Sequence, residues 1–337
     1  MGNSGAESGS APGAAAEKTR VIVTGGAGFI GSHVVDAYLE AGLDVSVVDN
    51  LATGSRENVN PAARLYEVDI RDGAALERVF AEVRPEIVSH QAAQASVKLS
   101  MEDPPRDALI NVIGSLNVLE ACRKTGVRKL IYAATGGAAV GEPAYLPVDE
   151  DHPVAPLSPY GANKHAVEHY CVLYEKSFGL ETTILRYSNI YGPRQDPRGE
   201  AGVIAIFAGM MLAGGQPVVY GSGEQERDYV YVSDVARANV LALTRGSGRM
   251  YNIGTGVSTS VNGLFDRLAE LIGYDQPRKH EAALPGEVFR IYLTNDRARD
   301  ELGWTPAVSV DDGLRLTVEH MRAKLAAPAA DGPQENV

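Results

Sequence analysis

The first half of the chain alternates short β-rich runs with stretches of helical periodicity. An apolar run, Arg20-Val-Ile-Val-Thr24, leads into a Gly-rich turn, and a helical pattern then runs from Phe29 to Leu39 and closes at Gly42. Residues 44–48 are a second β-rich run ending in Asp49, which completes a β-α-β unit of about thirty residues. Further strand-like runs lie near 65–68, 87–90, 129–133 and 182–187, with helical patterns between them at about 73–83, 106–125 and 159–178. Such repeated alternation predicts an α/β fold, a Rossmann-type doubly wound parallel sheet with helices on both faces.

The pattern changes after about residue 188. Gly and Pro become denser, and short elements replace the regular alternation. Residues 232–243 and 262–272 still read as helices, the first capped by Ser233 or Asp234 and the second by Asn262. These shifts predict a dinucleotide-binding domain over 19–187, rejoined by about 231–260. A smaller C-terminal substrate-binding domain is expected over 188–230 and 261–326. Residues 1–18 and 327–337, rich in small and polar residues, read as flexible tails. The most apolar stretch, 203–215, is too short to cross a bilayer and reads as a core or interface helix. The N-terminus has no basic region followed by an apolar core, and Ala6 stands where myristoylation wants Ser or Thr.

The length of 337 residues fits about two domains at roughly 150 residues each. Hydrophobic residues make up 45% and charged residues 22%, which excludes a mainly disordered chain. With 31 basic and 43 acidic residues the formal net charge is −12, and no basic run offsets it. Nucleic acids and membranes are therefore not expected partners. Cys122 and Cys171 make no disulfide framework and no CxxC metal pair, so they read as two reduced, partly buried thiols in a cytoplasmic protein.

The turn after the first strand, Gly25-Gly26-Ala27-Gly28-Phe29-Ile30-Gly31, fits G-x-x-G-x-x-G through Gly25, Gly28 and Gly31. Glycine serves two needs there: backbone angles that a Cβ disfavours, and approach of a pyrophosphate to backbone N–H groups at a helix N-terminus. Asp49 lies 18 residues past Gly31, at the end of the next strand. A carboxylate in that place accepts hydrogen bonds from the adenosine ribose and repels a 2′-phosphate, so the expected cofactor is NAD rather than NADP. Asp69 and Ile70, after the third strand, are placed to border adenine.

Ser158-Pro159-Tyr160-Gly161-Ala162-Asn163-Lys164 carries the candidate reactive pair. Ser158 suits an N-cap and Pro159 the first helical position, so Tyr160 falls in the first turn with Lys164 one turn on. An ammonium, a helix N-terminus and a nicotinamide cation all favour a phenolate, which predicts Tyr160 as a general base near neutral pH. Thr135, at the end of a strand and followed by Gly136-Gly137, is the candidate third member, its hydroxyl able to relay a proton.

These motifs, with VVDNLATG at 47–54, HQAAQASV at 90–97, RYSNIYGPRQDP at 186–197, RDYVYVSD at 227–234, NIGTG at 252–256 and PGE at 285–287, resemble the extended short-chain dehydrogenase/reductases that act on nucleotide sugars. Within that group the likeness is strongest to UDP-glucose 4-epimerase-like proteins, and it covers about residues 19–320. It implies NAD held by Gly25, Gly28, Phe29, Ile30, Gly31, Asp49, Asn50, Asp69, Ile70, Gln91, Ala92, Ala93, Tyr160, Lys164 and Tyr187. It implies catalysis by Tyr160, Lys164 and Thr135. A nucleotide-sugar substrate would meet Gln94, Thr135, Tyr160, Asn189, Val218, Tyr220, Arg227 and Arg290. Relatives pair as homodimers through helices at about 106–125 and 159–178.

Three positions depart from the group's usual pattern: Ala139-Val140-Gly141 for Val-Tyr-Gly, Leu284 for an Arg, and Ile291 where the residue limiting sugar size varies. The expected reaction is transient oxidation at C4 of an NDP-hexose with hydride return to the opposite face. A 4,6-dehydratase, a 4-ketoreductase and a non-catalytic NAD-binding protein remain the alternatives. Dehydratases of this group carry an Asp-Glu pair where Gly136-Gly137 stands here. His90, His165 and His169 show no metal-site spacing with a third ligand, so no metal is expected, and Trp304 is expected to anchor the C-terminal domain.

Overall fold

The apolar runs of the first half become strands buried on both faces, as helices on each side of a parallel sheet require. Val21, Ile22 and Val23 of the first strand are each 0% exposed. The structure, a computed structural model, describes residues 18–197, 202–283 and 288–326. The tail expectations at 1–17 and 327–337, and the Leu284 and PGE motif positions, lie outside the described residues.

In chain order the first half runs β1 (Arg20–Thr24), α1 (Phe29–Glu40), β2 (Asp44–Asp49), β3 (Arg64–Glu67), α2 (Gly73–Val83), β4 (Ile87–His90), α3 (Val97–Glu102) and α4 (Pro104–Ala108). A π-helical turn (Leu109–Gly114) carries α4 directly into α5 (Ser115–Thr125). Then come β5 (Lys129–Thr135), the single turn α6 (Gly137–Val140), α7 (Pro159–Phe178) and β6 (Glu181–Tyr187). The second half comprises β7 (Asn189–Tyr191), α8 (Val203–Leu212), β8 (Val218–Tyr220), β9 (Glu226–Arg227), β10 (Tyr229–Tyr231), α9 (Val232–Ala242) and β11 (Arg249–Ile253). It ends with β12 (Thr259–Ser260), α10 (Val261–Ile272), β13 (Lys279–Glu281), β14 (Arg290–Ile291) and α11 (Val310–Ala326).

Seven strands form one all-parallel sheet in the order β3-β2-β1-β4-β5-β6-β11. The order reverses between β1 and β4, the point at which a Rossmann-type doubly wound sheet opens a crevice at its carboxyl edge. Register brings the strand ends level: Thr24 lies beside His90, and Thr135 beside Tyr187. One face packs against α1 and α9 through Val34, Val35, Val235 and Ala238. The other packs against α2, α5 and α7 through Phe80, Leu119 and Val167. A third core joins Tyr191 of β7, Phe207 and Met211 of α8, Val219 of β8, Phe265 of α10 and Leu314 of α11.

Several local expectations are corrected. No side chain caps α9: Tyr231 is its N-cap, because the helix starts straight from β10. The Asp234 carboxylate instead accepts the backbone N–H groups of Ala307 and Val308. Ser260 caps α10 by accepting from Gly263 N, while Asn262 bonds Ser222 O and Glu224. Trp304 is fully buried against the large-sheet core beside Val235 and Ala238, its Nε1 donating to Asp234 O at 2.8 Å, so it locks the C-terminal segment onto that core. Cys122 and Cys171 are free thiols, fully rather than partly buried.

Candidate active site

The Gly-rich turn after β1 is packed to the limit. Gly25 sits at φ +70, and a Cβ there would lie 2.6 Å from Ala92 N. A Cβ on Gly31 would lie 2.0 Å from Gly25 O, so α1 begins in direct contact with the turn. Gly28, Phe29 and Ile30 complete the bend into the helix, where Gly28 is the N-cap in extended conformation. No side chain caps this helix start, which leaves its N–H groups available to an anion.

Asp49, at the end of β2, is 8% exposed and braces the turn. Its Oδ2 accepts from Ala27 N at 3.0 Å and its Oδ1 from Leu51 N at 2.8 Å. Beside it a cleft is lined by Gly25, Val48, Asp49, Asn50, Val68, Ile70, Ala92, Ala93 and Ile110. Its apolar walls and its acidic rim suit a flat heterocycle joined to a diol. Asn50 Nδ2 donates to Asp69 Oδ2 at 2.8 Å, and hydrogen bonds from Arg71 hold the Asp69 carboxyl well below the usual carboxylate range. Gln91 bonds Ser89, Asn239 and Tyr187, which fixes the Tyr187 ring at the end of β6. The glycine cradle and this cleft fit an adenine dinucleotide.

The second part of the site is built on α7. Ser158 Oγ caps the helix by accepting from Gly161 N at 3.2 Å, with Pro159 in the first turn. A Cβ on Gly161 would lie 2.1 Å from Ala138 O, so the first turn of α7 is pressed against the turn that follows β5. That contact brings the Tyr160 phenol beside the Thr135 hydroxyl. Lys164 is 4% exposed, and its Nζ lies 4.4 Å over the ring of Tyr132. Burial lowers its ammonium to about 8, against an opposing pull from Glu168.

Without cofactor, burial pushes the Tyr160 phenol up to about 12, the Asp107 charge adds to the rise, and the neighbouring Thr135 hydroxyl opposes it. The Lys164 ammonium lies over the ring of Tyr132, one helical turn from Tyr160. His90 is buried between Thr24 Oγ1 at 2.6 Å and Ser115 Oγ at 2.9 Å. Burial, with help from the Lys164 charge, lowers it to about 3, so it is a neutral packing residue.

The candidate substrate residues spread over the small strands. Asn189 lies on β7, Val218 and Tyr220 on β8, and Arg227 on β9. Arg290 is spent on an ion pair with Glu226 at 2.8 Å, on the adjacent strand. Gln94 Nε2 is bound by Asp107 and Ser96 O. Gly136 makes room for this half of the molecule: a Cβ there would lie 2.3 Å from Leu293 Cδ1. Val140, Val148, Ile291 and Leu293 close an apolar cluster there. His165 and His169 are paired at 3.1 Å with no third ligand, and no metal-binding cluster occurs among the described residues. Sequence reasoning missed Asp107, Asn111 and Asn163, which meet beside Tyr160 but belong to no phosphate or acid–base motif.

Comparison with known proteins agrees with this geometry. Residues 21–254 match the NAD dependent epimerase/dehydratase family. The UDP-glucose 4-epimerase of Mycolicibacterium smegmatis is 44% identical over 312 residues, covering 90% of this chain and 99% of that protein. The structure of a UDP-glucose 4-epimerase from Thermotoga maritima with UDP-glucose superposes with a TM-score of 0.90 at 50% identity, covering 91% of this chain and 100% of the other. The Thermus thermophilus UDP-glucose 4-epimerase in complex with NAD gives a TM-score of 0.86 at 49% identity, covering 90% and 99%.

Proposed function

The chain belongs to the NAD-dependent epimerase/dehydratase family, and from that premise we propose that it is an NAD-dependent UDP-hexose 4-epimerase of the UDP-glucose/UDP-galactose type. One observation carries the reading. Tyr160 and Thr135 sit together at the carboxyl edge of the sheet, with Lys164 one turn along the same helix and a glycine cradle across the edge. The close relatives named above carry the same activity in their names.

The residues above would hold NAD, which when bound would supply the hydride acceptor and donor for C4 of the sugar. The chain's own part is to bind, orient and move one proton. Gly25, Gly28 and Gly31 let the pyrophosphate reach the backbone N–H groups of the α1 N-terminus, with Phe29 and Ile30 in its first turn. Asp49 and Asn50 serve the adenosine ribose, Asp69 and Ile70 border adenine, and Gln91, Ala92 and Ala93 line the cleft toward Tyr187. Lys164 holds the nicotinamide ribose. Tyr160 takes the proton of the 4-hydroxyl, and Thr135 shares it. Because burial disfavours this phenolate, positive charge bound beside it would favour release of the proton. Gln94, Asn189, Val218, Tyr220, Arg227 and Arg290 meet the nucleotide sugar, with Arg290 oriented by its pair with Glu226.

A 4,6-dehydratase needs an added acid and base after Thr135, and Gly136 and Gly137 supply neither. A larger residue at 136 would collide with Leu293. Exposed Leu109, Ile113, Val172, Leu173 and Phe178, on the 104–125 and 159–178 helices, support a homodimer formed through this face. Two buried free thiols support a cytoplasmic location, and no helix among the described residues is long and apolar enough to cross a membrane.

Tyr160→Phe tests the reading. The variant should retain bound NAD and lose roughly 100-fold or more of the interconversion of UDP-galactose and UDP-glucose. A near-wild-type rate would overturn the role.

A further inference from the structure

Asp107 is 2% exposed on α4. Its Oδ1 accepts from Gln94 Nε2 at 2.7 Å and from Asn111 Nδ2 at 3.0 Å, and its Oδ2 accepts from Asn163 Nδ2 at 2.7 Å. All three donors are neutral amides, so they satisfy the carboxylate without cancelling its charge. Buried charges usually sit with an opposite charge, because desolvation is costly. The three amides also come from separate segments. Gln94 follows β4, Asn111 lies in the π-helical turn, and Asn163 is on α7 between Tyr160 and Lys164. Gln94 N donates to Asn111 Oδ1 at 3.0 Å, and Asn111 Nδ2 returns to Gln94 O at 2.9 Å. The first turn of α7 is therefore tied to the cofactor-side loop through one carboxylate.

We propose that Asp107 is a positioning residue for the Tyr160–Lys164 pair, its buried carboxylate serving both as the anchor of the first turn of α7 and as a fixed negative charge beside the two reacting groups. This rests on the 4-epimerase reading. The charge favours the ammonium of Lys164 and opposes the phenolate of Tyr160. Other groups near the pair are engaged elsewhere. Glu168, which also acts on Lys164, is paired with Arg186 and His165, and His90 is neutral. Tyr132 and Cys171, both buried, resist ionisation. Lys98 and Glu102 of α3, and Arg106 of α4, are exposed. Among these groups Asp107 is the charge that acts on Tyr160.

The test uses Asp107→Asn in the NAD-loaded protein. Asparagine keeps the size, and Asn163 can turn its amide to meet it. The acid limb of the pH profile of kcat/KM for UDP-galactose should move down by about half to one pH unit, whereas Asp107→Glu, which keeps the charge, should hold the wild-type midpoint. The same shift should appear in the phenolate absorbance of Tyr160, read as the difference between each protein and its Tyr160→Phe counterpart. An unmoved midpoint in Asp107→Asn overturns the proposal. Asn163→Ala cuts the anchor and leaves the charge; it should lower kcat several-fold with NAD content unchanged. A wild-type kcat there overturns the proposal even where Asp107→Asn fails to fold. A wild type that turns over no UDP-hexose counts against the 4-epimerase reading instead, and the absorbance difference still decides the role of Asp107.

Discussion

Replacing Gly31 by Ala puts a Cβ 2.0 Å from the Gly25 carbonyl oxygen, 2.7 Å from its carbon and 3.0 Å from Gly26 Cα. These are backbone atoms, so no side chain can swing away. Restoring ordinary contact, at 3.4 Å, means moving the start of α1 away from the turn by about 1.4 Å. A displacement of that size stretches the 3.0 Å bond from Ala27 N to Asp49 Oδ2 beyond hydrogen-bonding range. Overpacking of this kind costs ~1–3 kcal/mol, and loss of a hydrogen bond to a charged group costs ~1.5–3 kcal/mol. Both fall on the pyrophosphate cradle. With ~1.4 kcal/mol per tenfold change, NAD binding should weaken by roughly two to four orders of magnitude. The matched control is Gly42→Ala, at the other end of the same helix. It has φ +82 and nothing within 4 Å of its new Cβ, so it should cost about 1–2 kcal/mol of backbone strain and leave NAD binding alone. The assay is NAD released per mole of denatured protein, with thermal melting of each variant. Wild-type NAD content in Gly31→Ala would refute the packing argument.

Two further perturbations probe buried charge. Glu168 and Arg186 form a bidentate pair, 3% and 2% exposed, so Glu168→Gln leaves a buried guanidinium facing an amide. It should cost ~3 kcal/mol and lower the melting temperature by roughly 5–10 °C; an unchanged Tm in thermal denaturation would contradict it. His90, with its ordinary value of 6.5 lowered to about 3 by burial, binds fewer protons folded than unfolded between those values. Its contribution to stability is therefore present above about 6.5 and lost as pH falls toward 3. His90→Gln should flatten the loss of stability measured by denaturant titration between pH 6.5 and 4, and an unchanged slope would count against a neutral buried imidazole.

What was legible in the chain was what is local. The turn from Gly25 to Gly31 needs only neighbouring residues to declare a strand, a bend and a helix. Ser158, Pro159, Tyr160 and Lys164 similarly state a cap, a first turn and a second turn in seven residues. The parallel sheet followed from alternation alone. What escaped the sequence depends on segments far apart. Asp107 gains its environment from Gln94, Asn111 and Asn163, none of which is distinctive by itself. Asp234 sits where a helix cap is expected, yet the 305–308 segment folds over it and claims its carboxylate. Lys164 has the spacing to share a face with Tyr160, but only the fold places its ammonium over the ring of Tyr132, on β5. Trp304 reads as part of the C-terminal piece, and only the fold places it against α9.

The central claim is C4 epimerisation with a retained cofactor. The measurement that meets it most directly is proton NMR of the purified protein with UDP-galactose and no added NAD, following the anomeric signals. The account predicts that UDP-glucose appears until the two sugars reach equilibrium, with no net NADH formed. Unchanged UDP-galactose in the presence of protein-bound NAD would contradict it.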